Sequence, residues 1–183
     1  MLTLFFITVI IAVLLWMIVI YNRLVRDKNR VLASRSDIDV QLKRRHELIP
    51  KLVDVVKSYT QYESKTLDEI TRLRLKSHAT SQPKDISRAE NNLVSGLRKL
   101  LVIMENYPDL KASEQYLSLQ TNLSKIENDI QSARRFYNGA VRNLNIHIDS
   151  FPDLLIARSF NYEHADFFEL DSVLESQPSV FKS

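Results

Sequence analysis

The chain has 183 residues, no cysteine, two glycines and five prolines. Absent cysteine excludes thiolate metal sites, disulfide scaffolds and a cysteine nucleophile, and scarce glycine argues against hairpins and phosphate-cradling loops and for helices. A net charge of +3 with 45% apolar and 26% charged residues excludes a disordered tail and gives no sign of a nucleic-acid binder.

Leu2 to Tyr21, LTLFFITVIIAVLLWMIVIY, is a run of twenty residues without a charge. As a helix it is roughly 30 Å long, the thickness of a hydrocarbon core. Trp16 and Tyr21 lie toward the downstream interface, where amphipathic rings settle. No Lys or Arg precedes the run and no small-x-small site follows it, which argues for a retained anchor over a cleaved signal peptide. From Asn22 to Lys51 nine basic residues face four acids, Asp27, Asp37, Asp39 and Glu47. Basic residues stay on the cytoplasmic side, so the expected topology is N-terminus outside and body inside. Arg23, Arg26 and Lys28 are candidate contacts to lipid head groups. Lys43, Arg44 and Arg45 read as an ordinary positive flank that fixes orientation.

Beyond Tyr21, apolar residues recur at steps of three and four. Leu24, Val31, Ile38, Leu42, Ile49, Leu52, Val55, Tyr59, Tyr62, Ile70 and Leu73 form an interrupted stripe, expected as one segment kinked at Pro50. Lys76 to Asp85 reads as a polar connector. The second segment is expected from Ser87 to Asn106, with Ser87 and Glu90 as a capping box. Tyr107-Pro108 ends it, since proline disfavours helix in the preceding residue. The third stripe, from Tyr116 to Phe151, is unbroken, with Ser113 as N-cap and Pro152 beyond its end. It carries through Asn138-Gly139, otherwise a hairpin signal, so that pair is read as helix. A short fourth helix is expected over Pro152 to Phe160. The predicted fold is all-α: an N-terminal transmembrane helix, then an antiparallel bundle of three long helices and a short fourth. Residues 1–21 would be the anchor, 22–170 the bundle and 171–183 a flexible acidic tail.

The chemistry is sparse. HELIP at His46–Pro50 places proline where HExxH needs its second ligand. His147 reads as a satisfied histidine on a helix surface. Glu163, His164, Asp166 and Glu169 would suit a divalent ion if the segment were helical, against the plainer reading of a solvated acidic stretch. Two glycines permit neither GxSxG nor a phosphate loop. No cofactor, metal or catalytic residue is expected, and the chain is read as non-enzymatic.

Tyr21-Asn22-Arg23-Leu24-Val25, the block IDVQLKRRHELIPKLV at 38–53, ARRFYN at 133–138, Ser150-Phe151-Pro152 and Phe167-Phe168-Glu169 resemble the LemA family of bacterial membrane proteins. The resemblance runs from the anchor to about Glu169. It implies a single-pass anchor in the cytoplasmic membrane, a helical body, no catalytic residues, and neighbouring membrane metalloproteases with a link to membrane-protein quality control. Asn161-Tyr162 stands where the family commonly has Gly-Phe, and Asn tolerates a left-handed backbone, so a turn is expected there. The leading expectation is a membrane-anchored scaffold binding a protein partner or copies of itself. The alternatives are a metal-dependent enzyme using the 163–169 cluster and a lipid-surface organiser acting through the basic juxtamembrane helix.

Overall fold

A computed structural model describes residues 1–60, 62–78 and 83–168. All regular structure among them is α-helical: α1 Leu2–Tyr59, α2 Ser64–His78, α3 Pro83–Met104, α4 Pro108–Lys111, α5 Glu114–Asp149 and α6 Asp153–Ser159. The expected acidic tail, 171–183, lies outside the described residues. The described residues divide into two compact units, Met1–Asp37 with Arg135–Phe167, and Ile38–Arg134 with Phe168.

Two expectations about element ends are corrected, and with them the capping box. The first segment is two helices, broken after Tyr59. The breaker is Thr60, whose hydroxyl oxygen accepts the Tyr62 N–H at 3.2 Å and whose O–H lies 3.2 Å from the Tyr107 phenol. Such local side-chain bonds give the backbone an alternative to the helical ladder. α3 begins at Pro83, four residues before Ser87. Proline suits the first helical position because its missing N–H has no acceptor there anyway. Ser87 and Glu90 therefore lie inside the helix, and both are fully buried, so they form no capping box. α1 is continuous through Pro50.

The second unit is an up-down-up-down four-helix bundle. Ser77 on α2 meets Glu90 on α3, and Ile70 and Leu73 approach Gly96, so α2 and α3 run antiparallel. A Cβ at Gly96 would stand 3.1 Å from a Leu73 methyl, which is why a glycine marks this crossing. Arg45 on α1 bonds Glu127 on α5, and Arg134 on α5 bonds Asn91 on α3. The core holds Ile49, Leu52 and Val56 of α1, Leu67 and Ile70 of α2, Leu93, Leu97 and Leu100 of α3, and Tyr116 and Leu123 of α5. Each fully buried aliphatic side chain contributes about 1.5–3 kcal/mol. Most of these lie on the stripes that the 3–4 spacing picks out; Val56 and Leu67 do not, and Tyr59 and Tyr62, which do, are exposed.

In the first unit the opening half of α1 lies antiparallel to the closing half of α5. Arg35 meets Tyr137, and Asp27 meets His147. Leu24, Val31, Tyr137, Ala140, Val141, Leu144 and Ile148 are buried there. Helix α5 passes through Asn138-Gly139 without a break, as the stripe requires. α6 ends as the sequence suggests. Asn161 has φ of 52°, Tyr162 N–H donates to Ala157 O at 2.9 Å, and Asn161 N–H donates to Arg158 O at 3.2 Å. This is the Schellman stop, with Asn in the place usually held by glycine.

Candidate functional site

The most concentrated polar chemistry is inside the second unit. Its elements are helices, and the helical period puts its residues in the core. On α1 the buried steps are Ile38, Leu42, Arg45, Ile49 and Leu52; on α3 they are Ile86, Glu90, Leu93 and Leu97. Arg45 and Glu90 keep the phase of their stripes, so both point inward, and both are 0% exposed. They form an ion pair with each other. Arg45 also donates from its guanidinium to Glu127 at 2.7 Å. Glu90 further takes the His46 Nε2–H at 2.9 Å and the Ser77 hydroxyl. One carboxylate thus ties α1, α2 and α3, and the guanidinium extends the tie to α5.

Pro50 contributes to the same cluster by what it lacks. In a helix the N–H of residue 50 would bond the carbonyl of His46, and proline has none. The Arg74 Nε–H from α2 donates to that carbonyl at 2.8 Å. The unfilled acceptor on α1 therefore becomes a docking point for α2.

A cleft of about 260 Å³ reaches this cluster, lined by Asp39, Lys43, His46, Ser77 and Glu90 among others. Ser77 and His46 both bond the carboxylate and not each other. The shared partner of both groups is the Glu90 carboxylate, an acceptor that clamps α1, α2 and α3. A buried pair of this kind is costly to break, about 3–5 kcal/mol when one partner is removed. Arg45 is accordingly a structural ion and not part of a solvated flank, which corrects the sequence reading. The signal for it was present: a charge falling in step with an apolar stripe.

The first unit holds the residues that the sequence singled out. Arg23 is half exposed and lies 3.6 Å from the buried Asp153 carboxylate. Arg26 is exposed. Lys28 Nζ sits 5.6 Å above the centre of the Tyr162 ring, within cation–π range. Residues 161–168 are irregular, so the helical face supposed for Asp166 and Glu169 does not form, and Glu169 lies outside the described residues. The segment is instead strapped to α5. The Asn145 side-chain amide bonds Ala165 N–H at 2.9 Å and Ala165 O at 3.0 Å, and Tyr137 donates its O–H to Asp166 O at 2.9 Å. His164 donates to the Asp149 carboxylate at 3.0 Å. No group of three or more His, Cys, Asp or Glu suited to a metal occurs among the described residues. Between α1, α5 and the strap lies a cavity of about 480 Å³, lined by Tyr21, Lys28, Leu144, Phe160, Tyr162 and His164 among others.

Burial raises the pKa of Tyr137 above the usual phenol value, with Arg35 pulling the other way and Asp166 adding to the rise. Burial also raises Tyr162, aided by nearby Tyr21, and in the second unit it raises Tyr116, aided by Glu105. His147 donates Nδ1–H to the buried Asp27 at 2.6 Å, so it is a satisfied histidine, as expected from its place beside the stripe.

Comparison with known proteins agrees with this architecture. The family model for the LemA family matches residues 34–181. Protein LemA of Metamycoplasma hominis is 29% identical over 153 residues, covering 83% of this chain and 70% of that protein. Magnetosome protein MamQ 2 of Paramagnetospirillum magneticum is 21% identical over 186 residues, covering 87% of this chain and 68% of that protein.

Proposed function

This chain belongs to the LemA family, and we propose that it is a membrane-anchored, non-enzymatic helical scaffold of the bacterial cytoplasmic membrane. One observation carries the anchor. Every Leu, Ile, Val, Phe, Trp and Met from Leu2 to Val19 is exposed, from 38% at Met17 to 74% at Leu2. This is the one helix among the described residues long and apolar enough to cross a membrane. A core helix hides such a surface within the protein, whereas lipid solvates it at no cost. Lys and Arg crowd the side after Tyr21, so the body faces the cytoplasm.

The scaffold reading is supported by how the reactive groups are used. Glu90, Arg45, His46 and Ser77 are committed to one another across helices, and His164 and His147 hold carboxylates of their own unit. The bundle then acts by presenting a rigid surface to a protein partner or to copies of itself.

The test is native mass spectrometry with crosslinking of the full chain in a mild detergent. The expected result is detergent-dependent solubility and a discrete oligomer or a stoichiometric protein partner. A strictly monomeric species without partner would overturn the scaffold reading. Full solubility without detergent would overturn the anchor. Cytoplasmic and periplasmic reporters fused after Ser183 test the orientation, and activity of the periplasmic one alone would reverse it.

A further inference from the structure

Anchoring through residues 2–21 leaves further large apolar side chains exposed, among them Leu32, Val102 and Phe136, and three that fall together at one end of the first unit. Phe151 is 80% exposed, and Leu155 and Phe160 are 55% exposed. All three lie in the turn after α5, in α6, or at its end. Single exposed apolar residues are ordinary, but three within ten residues at one tip form a patch.

Their height on the first unit is set by the antiparallel register. Tyr137 on α5 meets Arg35 on α1, and ten residues later His147 meets Asp27. Beyond α5, Asp153 meets Arg23, and the Phe160 ring packs on the Tyr21 ring with centroids 4.7 Å apart. Progress along α5 is thus a climb of α1 toward the uncharged run. Continuing the Asp27–His147 register by four residues brings Phe151 opposite Arg23, two residues from Tyr21, or about 3 Å along the axis. The polar layer flanking a hydrocarbon core is roughly 5–7 Å deep on each side. With residues 2–21 across the core, the tip stands inside that layer.

The charges at the tip suit such a place. The Asp153 carboxylate lies 3.6 Å from Arg23, and those of Asp27 and Asp149 accept hydrogen bonds from His147 and His164. Arg26 and Arg158 remain exposed on the same unit. Exposed arginines attract anionic head groups.

We infer, on the basis of the proposed anchor, that the α5–α6 tip is a second membrane contact. Phe151, Leu155 and Phe160 enter the lipid interface beside the anchor. A single helix leaves the attached unit free to swivel and tilt; a second point of contact fixes its attitude on the membrane.

The experiment uses the chain's single tryptophan, Trp16. The full-length protein is reconstituted into vesicles of three parts phosphatidylcholine to one of phosphatidylglycerol, carrying lipids brominated at shallow or deep acyl positions. Wild type reports on Trp16. In a Trp16→Phe background, Phe151→Trp reports on the tip, and Phe136→Trp, exposed farther back along α5, is the control. Circular dichroism confirms that each variant is folded, and exposure of both sites makes the substitutions mild. The expected result is strong quenching of Trp16 by the brominated lipids, a blue-shifted emission at position 151 with several-fold stronger shallow quenching than at position 136, and little quenching at 136. Equal, weak quenching at 151 and 136 while Trp16 is quenched would overturn the second contact and leave the anchor standing. Absent quenching of Trp16 would remove the anchor and, with it, the basis of this inference.

Discussion

Replacing Glu90 with leucine tests the buried ionic tie directly. The substitution keeps the volume roughly constant and removes only the carboxylate. Glu90 is 0% exposed and holds Arg45, His46 and Ser77. Arg45, also 0% exposed, keeps Glu127 at 2.7 Å, whose side chain is a quarter exposed. The lost pair places the cost in the range of about 3–5 kcal/mol for one partner removed from a buried pair. The retained Glu127 contact argues for the lower end, about 3 kcal/mol, which is more than a hundredfold in the folding constant since about 1.4 kcal/mol is tenfold. The assay is urea unfolding of the full chain in mild detergent, followed by circular dichroism, against the exposed control Glu69→Gln, expected within about 0.5 kcal/mol of wild type. A loss under about 1 kcal/mol for Glu90→Leu would refute the reasoning, because a desolvated guanidinium cannot lose its main partner so cheaply. The double variant Arg45→Met/Glu90→Leu is expected to recover much of that loss, since apolar replacement of a whole buried pair is often neutral, and to keep a residual cost because His46 and Ser77 lose their shared acceptor.

Arg74→Met should cost about 1.5 kcal/mol by leaving the His46 carbonyl without its charged donor. Adding Pro50→Ala should recover most of that loss, because residue 50 then supplies the missing N–H; additive effects in the double-mutant cycle would disprove the link. Gly139→Ala should stabilise by about 1 kcal/mol, since a Cβ there meets nothing within 4 Å on a helix; an unchanged urea midpoint would count against it. Alkali should destabilise the fold through Tyr116 and Tyr137. Their folded pKa values are raised from 10.0, so the folded chain keeps protons that the unfolded chain releases. That contribution is whole below pH 10 and is lost as pH rises through the raised values. Tyr116→Phe and Tyr137→Phe should flatten the fall in urea midpoint above about pH 10, and an unaltered slope in both would refute it.

Local physics made several features legible from the order of residues. The uncharged run from Leu2 to Tyr21, the helical reading of Asn138-Gly139 and the left-handed Asn161 each depend on neighbours in sequence: hydropathy, period, or one residue's tolerance of positive φ. Their outcome is decided within a turn or two of chain. The break at Thr60 was not legible, because Thr60 is an ordinary helix residue until the Tyr107 phenol, itself bonded to Glu63, and the Tyr62 N–H meet its hydroxyl. The capping box at Ser87 failed for a related reason: the same Ser-x-x-Glu spacing fits a cap or a buried face, and only the partners waiting on α1 and α2 select the second.

The sequence by itself determined that the chain is helical, most of the stripe each helix buries, and which run is apolar enough to cross a membrane, since periodicity and transfer free energy need no partner. Tertiary structure alone decided that Arg45 meets Glu90, that Arg74 fills the carbonyl left bare by Pro50, and that Asp153 meets Arg23. Those outcomes depend on the relative register of helices far apart in the chain. Register is set by packing summed over many contacts, and no single residue announces it.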